Sequence, residues 1–165
     1  MKILDLGCGK GKMKSAIGVD KEKYPGVDVV HDLNVFPYPF SDNEFDFINC
    51  QHILEHVKEP YGMMKEIYRI AKPDAEVKII TPHYSSQLSY GDMTHRFRFG
   101  ATSFQWLCDR EPFSIKKIKI IFSDIYRVLG ISLLANLFIR RWEKYCCFVF
   151  PAMYVHVWLK VNKET

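Results

Sequence analysis

Short apolar runs, each closed by glycine, proline or a polar residue, divide the first half of the chain into strand-sized pieces. Lys2–Leu6, Ala16–Val19, Val27–Val30, Phe45–Cys50 and Glu76–Thr81 are such runs. Their shortness and near-continuous apolarity predict the buried strands of a parallel sheet. Ile115–Phe122 and Tyr154–Val161 are longer and alternate more, which predicts an antiparallel pair at one sheet edge. Helical spacing is rarer. Pro60–Ala71 sets Met63, Met64, Ile67 and Ile70 at helical intervals, opens with proline and stops before Pro73. Thr102–Asp109 predicts a short helix capped by Thr102 or Ser103, and Tyr126–Phe148 a longer one, weakened at Gly130 and stopped by Pro151. The pattern predicts an α/β fold: a Rossmann-like, seven-stranded, mostly parallel sheet with an antiparallel edge pair and a reduced helix set on one face.

The helix deficit arises from the connections. A parallel crossover needs about a dozen residues or more, yet only Gly7–Ser15 joins the first two strands and Lys21–Gly26 the next two. One face is therefore expected to need cover from Tyr126–Phe148 or from a second subunit, as in a homodimer. The aromatic stretch Trp142–Phe150 beside Arg140 and Arg141 also admits a second reading, contact with a membrane surface or a lipid-linked substrate; cover of the sheet is favoured.

Composition narrows the picture. With 165 residues, 48% hydrophobic and 25% charged, the chain fits one globular domain. Residues 1–83 form its first, ligand-binding half and 84–165 its substrate-side and sheet-edge half. The net charge of +4 comes from scattered Lys and Arg, so no nucleic-acid partner is expected. Five cysteines without a C-x-x-C pair argue against a disulfide framework or a structural zinc site. The N-terminal Lys2–Asp5 lacks a signal-peptide pattern, and Val128–Ile139 is too short to span a bilayer. A cytoplasmic protein is expected.

The chemistry begins at Ile3-Leu4-Asp5-Leu6-Gly7-Cys8-Gly9-Lys10-Gly11. A strand delivers the chain into a loop whose glycines let the backbone approach a ligand closely. The second strand ends Gly18-Val19-Asp20, placing a carboxylate where it can accept hydrogen bonds from both hydroxyls of a ribose. Asp32 comes after the third strand, where an adenine edge would lie. A nucleotide-cofactor oxidoreductase would carry a similar loop, but its acid comes about 20 residues beyond the glycines, and Asp20 comes far sooner.

Leu4-Asp5-Leu6-Gly7-Cys8-Gly9-Lys10-Gly11 resembles the first motif of the class I S-adenosylmethionine-dependent methyltransferases. Phe36–Ile48 is similar to their approach to the fourth strand. Cys50-Gln51-His52-Ile53-Leu54-Glu55-His56-Val57 resembles the segment after that strand in the small-molecule branch, and Glu66–Pro73 the next helix and its exit. The resemblance implies S-adenosylmethionine as cofactor. Gly7, Gly9 and Gly11 would line its methionine moiety, with Cys8 a small filler in the same loop. Asp5 would orient that loop or receive the ammonium, and Asp20 would hold the ribose. Asp32 and Leu33 would frame the adenine, and Gln51 and His52 would sit beside the sulfonium. Two departures stand out. Little helix comes after the glycine loop, leaving Lys10, Lys12 or Lys14 to meet the cofactor carboxylate, and the family's helix before the first strand has no counterpart in the sequence.

Thr81-Pro82-His83 fits the end of a fifth strand, and Asp92–Phe99 is similar to methyltransferases encoded with surface-polysaccharide genes. Together they point to a small-molecule or glycan-like acceptor. A hydroxyl acceptor needs a base near neutral pKa; His95, His52 and His83 are the candidates, His95 first because it lies in a polar loop beside Asp92. His52-Ile53-Leu54-Glu55-His56 also spells H-x-x-E-H, a zinc motif when helical. Because the segment comes directly after a strand and soon meets Pro60, no metal is expected, and Glu55 and His56 read as a helix start. A non-catalytic module on a reduced methyltransferase fold is the alternative from a different class.

Overall fold

A computed structural model describes residues 1–163. Seven strands, β1 (Ile3–Leu6), β2 (Ile17–Asp20), β3 (Val29–Val30), β4 (Phe45–Gln51), β5 (Ala71–Pro82), β6 (Phe113–Ile121) and β7 (Tyr154–Val161), pair in the order β3-β2-β1-β4-β5-β7-β6. The first five run parallel, and β7 is antiparallel to both β5 and β6. All seven expected strands are present. The expected antiparallel pair forms, with β6 outermost and β7 inserted beside β5.

The core lies on one face of this sheet. Leu4, Leu6, Val19, Ile48, Cys50, Val77, Ile79, Val157 and Leu159 form one buried cluster with Met63, Met64, Ile67 and Ile70 of α1 (Pro60–Ile70) and Phe104 and Leu107 of α3 (Ala101–Cys108). Pro60 opens α1 where a missing N–H is harmless, and the helix runs directly into β5 at Ala71.

The opposite face departs from expectation. No helix joins β1 to β2 or β2 to β3, as the short connections require, yet Tyr126–Phe148 does not cover the gap. That segment forms three short helices, α4 (Asp124–Val128), α5 (Ile131–Leu137) and α6 (Ile139–Tyr145). They break at Gly130, whose φ of 73° favours glycine, and at Phe138. They pack against the exposed edge of β6: Asn136 accepts the Ile120 N–H at 2.8 Å and donates to its carbonyl at 2.9 Å. An unpaired sheet edge is thereby closed with a side-chain amide.

The helix-poor face is instead polar. β7 alternates strictly between buried and partly exposed positions, and its outer residues His156, Trp158 and Lys160 stand beside Lys78 and Glu76 of β5. Lys78 and Lys117 both place their ammonium groups over the Trp158 ring, at 5.9 and 5.2 Å. Long cationic side chains shield apolar surface while keeping their charge in water, so this face is solvent-compatible as it stands. The apolar excess appears elsewhere: Val128, Leu129, Leu133, Leu134, Leu137, Phe138 and Phe148 are exposed. Among the described residues no helix is long and apolar enough to cross a membrane.

Asn136→Ala is expected to lower stability by about 1–3 kcal/mol, because it strands two buried backbone groups. Leu133→Ser, at an exposed position, should change it by less than about 0.5 kcal/mol. Urea unfolding of the two variants checks the pair.

Candidate active site

The loop after β1 is a tight fold of backbone. Gly7 and Cys8 both donate to the Val19 carbonyl, at 2.8 and 3.0 Å, and Gly7 and Gly9 adopt φ of 69° and 51°. A Cβ on Gly7 would lie 2.7 Å from the Ile53 side chain, whereas one on Gly9 or Gly11 would meet nothing within 4 Å. Gly7 is thus required by both conformation and packing, and Gly9 and Gly11 leave open backbone. Gly7→Ala should cost about 2–3 kcal/mol from strain plus overpacking, and Gly9→Ala only the conformational part, about 1–2 kcal/mol. Chemical denaturation of both variants is the check.

Two acids hold the loop. Asp5 is buried; its Oδ2 accepts the Met13 N–H and its Oδ1 the Asn49 amide, both at 2.7 Å. It braces the loop from beneath. Asp20, at the end of β2, accepts N–H groups from Gly9 at 2.9 Å and Glu22 at 3.0 Å. A carboxylate has about four lone-pair directions, so Asp20 keeps acceptor capacity for a ligand. Cys8 is buried beside both acids, and its thiol pKa is raised by burial and by their charge; it is an unreactive filler.

Gly7, Asp20, Asp32, Leu33, His52 and Ile53 line a cleft of about 750 Å³, within the size range of small-molecule sites. Asp32 closes an Asx turn by accepting from the Asn34 backbone and side chain, and the backbone N–H holds its carboxyl below the usual range. Three cations also line the cleft, Lys21, Lys58 and Arg96, and not the lysines of the glycine loop. Lys12 is engaged with Asp28 at 2.8 Å, and Lys10 lies over the Tyr24 ring.

A second cavity, of about 620 Å³, adjoins the first and shares His52 and His56 with it; Glu55, Gln87, Asp92, His95 and Tyr154 complete much of its wall. His52 sits at the join, turned out of β4 by a φ of 53°, with its ring edge-on to Tyr154. The sequence places Gln51 here as well. In the structure it lies on the outer side of β4 with Phe47 and Asn49, is exposed, and lines neither cavity.

The three candidate histidines separate. His95 and His52 reach the second cavity. His83 does not: it is fully buried, accepts the Ser85 N–H at Nδ1, and its Nε2 lies 3.1 Å from Glu143 Oε1. Glu143 also accepts the Ala101 and Thr102 N–H groups at 2.6 and 3.3 Å, so His83 belongs to a buried brace joining β5, α3 and α6. Glu55 and His56 lie in a turn rather than a helix start. No site role was legible in the sequence for Arg96, Lys58 or Tyr154: Arg96 and Lys58 are lone residues in irregular segments, and Tyr154, at the start of β7, reads only as a strand residue.

A methyltransferase-domain family model matches residues 1–118. The chain belongs to that family, the class I S-adenosylmethionine-dependent methyltransferases. It is 32% identical over 111 residues to cycloartenol-C-24-methyltransferase 1 of Oryza sativa subsp. japonica, a match covering 51% of this chain and 32% of that protein. It is 29% identical over 98 residues to ubiquinone biosynthesis O-methyltransferase of Pseudomonas entomophila strain L48, covering 46% and 42%. The chain thus spans less than half the length of these curated relatives. In fold it is similar to a SAM-dependent methyltransferase from Archaeoglobus fulgidus, with a TM-score of 0.71, 19% identity, and coverage of 96% and 85%.

Proposed function

We propose that this protein transfers a methyl group from S-adenosylmethionine to a hydroxyl of a small-molecule or glycan-like acceptor. The observation that carries the reading is the junction of two cavities at His52, one built on the glycine loop, Asp20, Asp32 and Leu33, the other walled by histidines and polar side chains. The residues fit the cofactor: open backbone at Gly9 and Gly11, spare acceptor capacity on Asp20, and a buried apolar residue, Leu33, beside Asp32. Gly7, Gly9 and Gly11 would face the methionine moiety, Asp20 would accept the ribose hydroxyls, and Asp32 with Leu33 would frame the adenine. The brace that Asp5 gives Met13 supports its role as loop orienter rather than ammonium partner. Lys21, Lys58 or Arg96 would meet the cofactor carboxylate.

The bound cofactor supplies an activated methyl sulfonium. The protein's own part is alignment, and well-oriented reactants recover about 7–11 kcal/mol of barrier. His52, common to both cavities, would take the acceptor's proton, with His95 in the wall of the second. An oxygen acceptor is favoured by this histidine-lined wall and agrees with the name of the O-methyltransferase relative.

Incubation with methyl-labelled S-adenosylmethionine and a panel of sugars, phenols and amines tests the reading. Label entering hydroxylated acceptors, with matching S-adenosylhomocysteine release, is the expected result. Label entering only amines would refute oxygen transfer. A cofactor that binds without turnover on any acceptor would favour the non-catalytic module.

A further inference from the structure

Glu55, His56 and His95 each offer a donor atom, and these atoms lie within 4.8 Å of one another in the wall of the second cavity. Two of the groups are unsatisfied. Glu55 is 1% exposed and its Oε1 has no hydrogen-bond partner; the His95 Nδ1 is likewise buried and unpartnered. The His52 Nδ1 lies 3.4 Å from Glu55 Oε1 but makes no hydrogen bond with it. A buried carboxylate oxygen without a hydrogen bond, with only the His52 ring at ion-pair distance, is costly and calls for a ligand.

The surrounding contacts aim these donors. Glu55 Oε2 accepts the Thr81 hydroxyl at 3.0 Å, which fixes the carboxylate and leaves Oε1 free. The Thr94 hydroxyl donates to Asp92 Oδ1 at 2.7 Å, so its oxygen can only accept from His56 Nδ1, at 2.9 Å. This contact puts a proton on His56 Nδ1, so the neutral ring has its lone pair on Nε2 for a ligand. A hydrogen-bond acceptor that orients a histidine through its other ring nitrogen is the usual support of a metal ligand. On His95 the same Asp92 lies on the Nε2 side, at 3.9 Å, and the buried Nδ1 has no partner. The backbone N–H groups of Arg96 and Phe97 both donate to the Glu55 carbonyl, and this pairing brings the His95 loop over Glu55.

We infer that Glu55, His56 and His95 bind a divalent transition-metal ion whose remaining positions face the acceptor cavity. Two imidazole nitrogens and one carboxylate oxygen suit zinc or manganese better than calcium or magnesium, which prefer all-oxygen shells. Metal–ligand distances of about 2.0–2.2 Å mean that binding draws the three side chains closer together. If the protein is the methyltransferase proposed above, on which this role rests, the open positions receive the acceptor's oxygen and lower its pKa, and His52 takes the released proton. The H-x-x-E-H spacing alone missed this site, because His52 is not part of the set and the third ligand comes from the His95 loop beyond α2 (Leu88–Gly91).

Calorimetric titration of the untagged, chelator-stripped chain with zinc chloride, and separately manganese chloride, tests the inference without cofactor. One equivalent of zinc is expected to bind in the wild type. Glu55→Gln and His95→Ala should weaken it by more than about a hundredfold, and Thr94→Val, which removes no ligand but breaks the hydroxyl's bonds to His56 and Asp92, by about 10–100-fold. His156→Ala on the open sheet face should leave it unchanged. A visible cobalt(II) spectrum that is lost in Glu55→Gln, whose folding is confirmed by its melting transition, gives a second readout. No stoichiometric binding, or binding indifferent to Glu55→Gln and His95→Ala, overturns the site; undiminished methyl transfer by metal-free enzyme overturns its role. S-adenosylhomocysteine titrated alone tests the methyltransferase reading independently, so either can fail without the other.

Discussion

Asp20→Ala is expected to weaken S-adenosylhomocysteine binding by about a hundredfold or more. The carboxylate stands at the end of β2, holds the Gly9 and Glu22 N–H groups, and lines the larger cleft. Hydrogen bonds to a charged acceptor contribute about 1.5–3 kcal/mol each, and about 1.4 kcal/mol is a factor of ten in affinity. Two ribose hydroxyls released together, with the glycine loop loosened beneath them, give that loss. Asp20→Asn keeps one acceptor oxygen and should fall between. Fold stability should change little by comparison, since Asp20 sits at the rim and not in the core. Calorimetry on both variants, beside their unfolding curves, separates the two effects. Equal affinity for wild type and Asp20→Ala would remove the ribose role.

The largest loss of stability is expected from Glu143→Ala, about 3–5 kcal/mol. Its buried carboxylate caps the first turn of α3 through Ala101 and Thr102 and meets His83 Nε2. Removing it strands two buried donors, the Ala101 N–H and His83 Nε2, and the partly exposed Thr102 N–H. A Cβ on the neighbouring Gly100 would fall 2.6 Å from the Glu143 oxygen and 2.5 Å from the Tyr84 ring, so only glycine fits beside the intact carboxylate. Because His83 lines neither cavity, the variant should keep cofactor affinity at temperatures where it remains folded. Thermal and urea unfolding measure the loss. Intact stability with lost binding would place His83 and Glu143 in the site after all.

The first half of the fold was legible because its signals are local. Ile3–Leu6 leading into a glycine loop, and Ile17–Val19 leading into Asp20, each combine an apolar strand with a residue type that the next position requires. The second half was not, because its outcome depends on distant partners. Tyr126–Phe148 reads as one apolar helix until Gly130 and Phe138 take non-helical backbone and Asn136 finds the β6 edge. The bare sheet face looked like a defect when only connections were counted. Its alternation of Lys78, His156 and Trp158 with buried valines and leucines shows a face made for water.

The candidate site divides in the same way. Gly7, Asp20, Asp32 and Leu33 reach one cleft because consecutive parallel strands end on the same side. Gln51 and His52 were both expected beside the sulfonium; strand alternation turns Gln51 outward, and His52 alone reaches the cavities, leaving the strand with a positive φ. Histidines were easy to find and hard to sort. Loop position suggested His95, which the fold does bring to the cavity, but nothing in the sequence says that His83 would be buried against Glu143. Glu55 and His56 acquire their significance only when the loop after α2 lays His95 across them.

Calorimetric titration of the chain with S-adenosylhomocysteine, with NAD as the parallel control, asks whether the cleft over the glycine loop and Asp20 takes this ligand. Saturable binding of one equivalent of S-adenosylhomocysteine and no binding of NAD are expected. No S-adenosylhomocysteine binding by a chain shown to be folded, or preferential binding of NAD, would contradict that role of the cleft.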